Sequence, residues 1–230
     1  MHILLQGIVG STAYGLAGPE SDVDRAGVFA HPTALLFGLS KPAESIVTTK
    51  PDVTYHEAEK ACRLMLSCNP TAMETLWLES WEIKTALGDE LVGLRSAFLS
   101  ARRVREAYLG YATDQFRKAI NCADGSFNSD IPPRRASKHA RHLMRLVEQG
   151  FELYATGRLH IRVEDPQRYI DFGERTAADP LSALPYLTEA RQRFDRTPSA
   201  LPEEPRRGAV ESWLRRVRAE YYRVPAAADA

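Results

Sequence analysis

The feature that most constrains this fold is an apolar strand that ends in a Gly-Ser pair and is soon followed by an Asp-x-Asp pair. Residues 3–9 have the apolar content of a buried strand, and Gly10-Ser11 follow directly. Residues 23–29 form a second strand-like stretch, which overlaps Asp22-x-Asp24. Because side chains alternate along a strand, both carboxylates are expected to project from one face. The pattern predicts a Gly-Ser turn close to a pair of carboxylates.

These residue types together indicate phosphate chemistry. Gly10 has no side chain, so backbone amides can approach a phosphate closely, and the Ser11 hydroxyl adds a donor. A helix beginning near Ser11 would also favour an anion at its N-terminus. The carboxylates of Asp22 and Asp24 repel each other unless a cation joins them, and Mg²⁺ prefers carboxylate oxygens together with substrate phosphates. The segment therefore predicts a metal-dependent phosphoryl-transfer site.

The rest of the chain changes from strand patterning to helical patterning. A third strand is expected at residues 52–55 and a helix from about Glu57, and a further helix should run from Asn69-Pro70 to about Trp81. Beyond residue 87 the pattern is almost wholly helical, most clearly at residues 134–155, where Gly157 ends the helix. We expect an α+β fold, with a catalytic domain at 1–98 and a helical domain with a basic face at 99–230.

Composition excludes several classes of protein. No segment of the 230 residues approaches the roughly 20 apolar residues of a membrane span, and the N-terminus has no basic region or cleavage site. Three cysteines at no metal-binding spacing suit a reducing compartment, so a cytoplasmic protein without membrane contact is expected. The sequence contains no Gly-x₄-Gly-Lys-Ser/Thr loop, no Gly-x-Gly-x-x-Gly and no Gly-x-Ser-x-Gly elbow.

Charge is unevenly distributed although the net charge is zero. Residues 1–100 contain 7 Lys/Arg and 12 Asp/Glu, whereas residues 101–230 contain 23 and 18. The two halves are either ordinary solvated surfaces or a metal-binding domain paired with a domain that holds polyanions. Lys138, Arg141, His142 and Arg145 share one helical face by their spacing. That face is either a basic wall for a triphosphate or an acceptor backbone, or a solvated surface.

Three residues near the motif also admit two roles each. Arg25 follows Asp24 and either contacts phosphate or pairs with a carboxylate. Tyr14 lines a nucleotide pocket or packs in the core, and packing is the simpler expectation. Glu74 is expected to anchor the helix that begins at Asn69 near the site rather than to take part in chemistry.

Gly10-Ser11, ten intervening residues and Asp22-x-Asp24 resemble the signature of DNA polymerase β superfamily nucleotidyltransferases. Further segments resemble one branch of that superfamily, the predicted nucleotidyltransferases that include the RNA-ligase-associated (RlaP-type) group. These segments are residues 13–29, residues 69–77 and the helix with Lys138, His142 and Arg145. The resemblance spans about residues 1–175. It implies a polymerase β-type mixed sheet and the transfer of a nucleoside monophosphate from ATP or another NTP to an acceptor hydroxyl.

The resemblance also implies roles for individual residues. Ser11 and the backbone around Gly10 would hold the β- and γ-phosphates, and Asp22 and Asp24 would bind two Mg²⁺ ions. Arg25, Lys138, His142 and Arg145 are further candidates for phosphate contacts. A third carboxylate usually completes such sites, and Asp52 is the first choice because it opens a strand. Glu57 and Glu44 are the alternatives.

Three hypotheses for function remain open. The first is a transferase that acts on RNA in end modification or repair, motivated by the basic helical half. The second is a transferase that modifies a protein or a small molecule. The third is a non-catalytic binding module that keeps the fold.

Overall fold

A computed structural model describes residues 1–19, 21–123 and 133–222. The chain divides into two compact units. The first consists of residues 1–67, residues 71–98 and the described part of 205–230. The second consists of residues 68–70 and 99–204, without the undescribed stretch between 123 and 133. In these described ranges no helix is both long and apolar enough to cross a membrane.

The first unit is built on a mixed five-stranded sheet. Its strands in chain order are β1 (His2–Val9), β2 (Asp24–Ala30), β3 (Ser45–Thr49), β4 (Asp52–Glu57) and β5 (Ile83–Lys84). Their order across the sheet is β3-β4-β2-β1-β5, and β2 pairs with β4 in parallel while the other neighbours are antiparallel. The α+β class expected from the sequence is confirmed.

The helices alternate with these strands only near the start of the chain. In chain order they are α1 (Gly10–Tyr14), α2 (Ala58–Leu66), α3 (Pro70–Glu74), α4 (Ala86–Gly93), α5 (Ala101–Ala123), α6 (Pro133–Thr156), α7 (Pro166–Ala178), α8 (Leu184–Arg196) and α9 (Arg207–Glu220). Short 3₁₀ turns lie at Thr33–Phe37, Arg95–Phe98 and Pro180–Ala183. The prediction for α6 is confirmed, and Gly157 follows it with a φ of 71°.

The expected helix from Asn69 to about Trp81 is wrong beyond Glu74, where α3 ends. The backbone amides of Leu76 and Trp77 bond to carbonyls only three residues back, so the chain turns away from the helix axis. Leu78 then lies against Gly7 of β1, where a Cβ would overlap its side chain. Covering the sheet with this segment outweighs its local helical propensity.

The last helix, α9, belongs to the sheet unit, so the expected domain at 99–230 needs correction. Trp213 is fully buried there, and its indole N–H donates to the carbonyl of Leu87 at 2.9 Å. Thr33 bonds to the end of the same helix, through its hydroxyl to the Arg218 carbonyl and through its amide to the Tyr221 carbonyl. Helical patterning alone does not say which core a helix covers, so the sequence grouped α9 with its chain neighbours.

The second unit is organised around α5 and α6, which run antiparallel. Gly150 faces Tyr108 so closely that a Cβ at position 150 would lie 2.5 Å from the tyrosine Cβ. Nearer the other end of the pair, His139 Nδ1 and Gln115 Oε1 are 2.8 Å apart. These two contacts set the alignment of the helices, with residue 115 beside 139 and residue 108 beside 150.

Candidate active site

The Gly-Ser turn and two of the predicted carboxylates meet at one end of the sheet. Antiparallel pairing sets Val9, the last residue of β1, opposite Asp24, the first residue of β2. Parallel pairing sets Arg25 opposite Val53, so Asp24 and Asp52 each precede this pair by one residue. Adjacent strands lie about 4.8 Å apart, and residues at matching positions project from the same face. Asp52 is therefore beside Asp24 on the face that the motif occupies.

Gly10 and Asp24 are in direct proximity. Gly10 has a φ of 69°, in the left-handed region that favours glycine. A Cβ at this position would overlap Oδ2 of Asp24 and would lie 3.1 Å from its Cγ. The missing side chain thus leaves room for the carboxylate at the point where β1 turns into α1.

Helix α1 carries Ser11, the residue after Gly10, and its position is fixed by a contact with α3. No side chain caps its first turn, and Gly15 ends it with a φ of 74°. Tyr14 is buried, and its hydroxyl donates to the buried carboxylate of Glu74 at the end of α3. Tyr14 therefore packs in the core, and Glu74 ties α3 to the helix that carries Ser11.

Asp22 lies outside the strand on which its pairing with Asp24 was predicted. Strand β2 begins at Asp24, and Asp22 is exposed two residues earlier. The chain reaches it from a turn in which the amide of Gly18 donates to Oγ of Ser21 at 2.9 Å. Among the described residues, no group of three His, Cys, Asp or Glu side chains is close enough to hold a metal ion.

The three candidates for a third carboxylate differ in how they are engaged. Glu57 is 4% exposed, caps α2 by accepting from the Glu59 amide, and receives hydrogen bonds from Arg218 on both carboxylate oxygens. Glu44 pairs with Arg63 at 2.6 Å, and that hydrogen bond lowers the pKa of its carboxyl. Asp52, in contrast, is exposed at the first position of β4.

Arg25 is engaged by a carboxylate, which is the second of its two predicted roles. Its guanidinium makes a two-pronged contact with Glu82, with Nε 2.9 Å from Oε2. Glu82 also accepts from the Gln6 amide at 2.7 Å, and the hydroxyl of Tyr55 donates to Gln6. Alternation along β2 places Arg25 on the face opposite Asp24. A phosphate contact by Arg25 remains a prediction.

The basic face of α6 is not the continuous exposed surface that either interpretation assumed. Lys138 is exposed, but Arg145 is 3% exposed and donates to Gln149 Oε1 at 2.5 Å. Nδ1 of His142 lies 3.2 Å from Nη2 of Arg145. Burial, followed by the charge of that guanidinium, lowers the pKa of the His142 imidazole to about 2. The stem of Arg141 packs against Gly173 of α7. Most of this face therefore belongs to the interior of the second unit.

Two important partners had no signal in the sequence. Glu82 is 57 residues from Arg25, and Arg218 is 161 residues from Glu57. Neither pair shares an element, so local spacing does not identify them. Because of these contacts, Arg25 and Glu57 are engaged in structural ion pairs.

A model of the RlaP family, described as an RNA repair pathway DNA polymerase beta family, matches residues 1–198. The chain belongs to this family. A search of curated proteins gives no match. The RlaP match includes Gly10-Ser11 and Asp22-x-Asp24 and continues through α8 of the second unit. The resemblance drawn from the sequence is confirmed, and membership of the RlaP family supports a nucleotidyltransferase-type role in RNA repair.

Proposed function

We propose that this protein is a Mg²⁺-dependent nucleotidyltransferase that moves a nucleoside monophosphate from an NTP to an acceptor hydroxyl and releases pyrophosphate. The observation that carries the proposal is the position of the Asp24 carboxylate against Gly10, where the Gly-Ser turn begins. The Gly-Ser turn offers hydrogen-bond donors for phosphate, and the carboxylate beside it offers metal-binding oxygens. Neither group has an evident structural purpose at this position. They suit a triphosphate whose charge is shared with a cation.

The carboxylates near this end of the sheet have the chemistry of Mg²⁺ ligands, and because no three of them meet among the described residues, the NTP would have to supply part of the coordination. Asp22, Asp24 and Asp52 offer carboxylate oxygens, the ligands that Mg²⁺ prefers, and phosphate oxygens of the NTP would complete the coordination. Asp22 and Asp52 are exposed, so a metal-bound triphosphate has access to both. When bound, the metal neutralises charge on the transferred phosphoryl group and the leaving pyrophosphate.

The residues of the chain would bind and orient the reactants. Ser11 and the backbone around Gly10 hold the β- and γ-phosphates, which fixes the line between the acceptor oxygen and the leaving group. The acceptor oxygen forms a bond to the α-phosphorus, and the bond from that phosphorus to the bridging oxygen breaks. Asp52 takes the proton of the acceptor hydroxyl, and pyrophosphate leaves with the electron pair of the broken bond.

Asp52 is proposed as the third carboxylate because the alternatives, Glu57 and Glu44, are engaged in structural contacts. Glu57 is buried, paired with Arg218 and used as a helix cap, and Glu44 is held by Arg63. Asp52 has the exposure that contact with a substrate requires and begins the strand beside Asp24. Arg25 serves here as a positioning residue, since its pair with Glu82 joins β2 to the segment before β5.

RNA is the proposed acceptor, in keeping with the description of the family. The test is incorporation from each of four α-³²P-NTPs, with Mg²⁺, into total cell RNA and into total protein. Wild type is compared with Asp22→Asn/Asp24→Asn. Label in RNA with the wild type alone supports the proposal and names the base. Label in protein alone would show that the acceptor is a protein and not RNA. Equal labelling by wild type and by Asp22→Asn/Asp24→Asn would contradict the proposed site.

A further inference from the structure

Three exposed basic side chains gather at one end of the α5 and α6 pair in the second unit. They are Lys118 on α5 and Arg135 and Lys138 on α6. The contact of Gln115 with His139 sets the antiparallel alignment of the two helices. Lys118 lies almost one turn beyond Gln115, and Arg135 lies about one turn before His139, so the two approach each other across the pair. We call these three residues the basic end.

The basic end stands out among the described residues because its cations have no carboxylate partner. In the part of the chain that the structure describes, none of its three side chains forms an ion pair with Asp or Glu, and the first turn of α6 has no acidic residue. Arginines of α5, in contrast, are paired with carboxylates. Arg102 pairs with Glu106, Arg105 with Asp195 and Arg117 with Asp114, at 3.2, 2.6 and 3.1 Å.

The pKa values of two histidines beside the basic end are lowered by burial and also by its positive charges. Burial lowers the pKa of His139, and Lys118, Lys138 and Arg135 lower it further. Burial and then Arg145, His139, Lys118 and Lys138 lower the pKa of His142. Among the described residues, the charged groups that shift these two pKa values are all basic. Keeping several like charges together costs folding free energy unless a bound anion offsets their repulsion.

We propose that the basic end, Lys118, Arg135 and Lys138, binds the phosphodiester backbone of an RNA strand. The three cations are exposed on two helices, which suits an extended polyanion better than an enclosed small ligand. Lysine and arginine contacts to phosphate fix the position of a strand without reading its sequence. The inference deepens the proposed function by giving its acceptor a binding surface, and it rests on that function for the choice of RNA.

The test measures RNA binding without catalysis. Binding of a labelled single-stranded RNA is followed by fluorescence anisotropy, without NTP or Mg²⁺, from about 50 mM to about 200 mM salt. The surface variant is Lys118→Gln/Arg135→Gln/Lys138→Gln. The matched control, Arg102→Gln/Arg105→Gln/Arg168→Gln, removes the same charge from positions that are paired with carboxylates, Arg168 with Glu148 at 3.3 Å. Circular dichroism shows whether each variant is folded.

The surface variant should lose at least about tenfold in affinity at the lowest salt, and its salt slope should become shallower by about 2, since each phosphate contact contributes about 0.7. The control should keep the slope of the wild type. Equal losses in both variants, an unchanged slope in the surface variant, or no RNA binding by the wild type would overturn the proposal. Competition by polyglutamate as strong as that by RNA would also overturn it.

Asp24→Asn separates this inference from the proposed function. Asp24 lies in the first unit, and the basic end lies in the second. The Asp24→Asn protein should therefore bind RNA as the wild type does while transfer is lost. RNA binding that disappears with Asp24→Asn would show that the basic end is not the surface being measured.

Discussion

The carboxylate of Asp24 occupies the space that a side chain on Gly10 would need. Gly10 directly follows β1, whose last residue pairs with Asp24 at the start of β2, and Gly10 has a φ of 69°. Both the space and the backbone conformation at position 10 therefore require glycine. This contact turns two separate sequence motifs into one site.

Gly10→Ala should reduce nucleotidyl transfer by about a hundredfold, because a displacement of about 1 Å at a reacting group has that effect. The added Cβ must move the Asp24 carboxylate or the start of α1. Gly93→Ala is the control, since a Cβ at position 93 meets nothing within 4 Å. Steady-state rates of both variants provide the measurement. Equal rates for Gly10→Ala and wild type would show that the contact has no part in the reaction.

Asp52 and Glu57 should respond to substitution in opposite ways. Asp52→Asn should lower turnover by about a hundredfold or more, as loss of a proton acceptor does, with little change in unfolding. Glu57→Gln should lower the free energy of unfolding by about 3 kcal/mol, because it removes the charge from a largely buried pair and leaves Arg218 only the more distant Glu59 carboxylate, at 3.7 Å. Rates and urea unfolding of both variants are measured together. Lost turnover with unchanged stability in Glu57→Gln would make Glu57 the catalytic carboxylate instead.

Trp213 should carry much of the attachment of α9 to the sheet unit. Trp213→Ala removes a fully buried ring and its bond to Leu87, and such truncations cost about 3 to 5 kcal/mol. Arg215→Ala on the same helix is the control, because that side chain is 80% exposed. Urea unfolding measures both. Equal stability of the two variants would contradict the assignment of α9 to this unit.

His142 should make the second unit less stable as the pH falls. Its pKa in the folded chain is lowered to about 2 from 6.5, so below 6.5 the unfolded chain binds a proton that the folded chain does not. The free energy of unfolding should fall by about 1 kcal/mol between about pH 7 and about pH 5.5 through this group. His142→Gln should remove that part of the slope in urea unfolding. Identical pH slopes for the two proteins would mean that His142 is protonated in the folded chain.

The sequence predicted the features that depend on neighbouring residues. The apolar run of β1, the Gly-Ser turn, the start of β2 and the long periodicity of α6 are local, and each appears close to its expected position. The helix after Asn69 was extended too far because the packing of Leu78 against Gly7 joins positions distant in the chain. The same limit applies to α9, whose place depends on Trp213 and Leu87.

Charged residues show the limit most clearly. Helical spacing correctly grouped Lys138, His142 and Arg145 on α6, but it does not show which neighbours cover them. Packing in the second unit buries Arg145 and leaves Lys138 exposed. The basic end also includes Lys118, which lies on a different helix and becomes a neighbour only when α5 and α6 pair.

The most direct test of nucleotidyl transfer uses the same NTP labelled at two positions. With the acceptor pool that gains label, α-³²P-NTP and γ-³²P-NTP are supplied in parallel to wild type and to Asp24→Asn. With the wild type, α-label should stay on the acceptor while γ-label leaves as pyrophosphate, and Asp24→Asn should produce neither. Transfer of the γ-label to the acceptor, or unchanged transfer of α-label by Asp24→Asn, would contradict it.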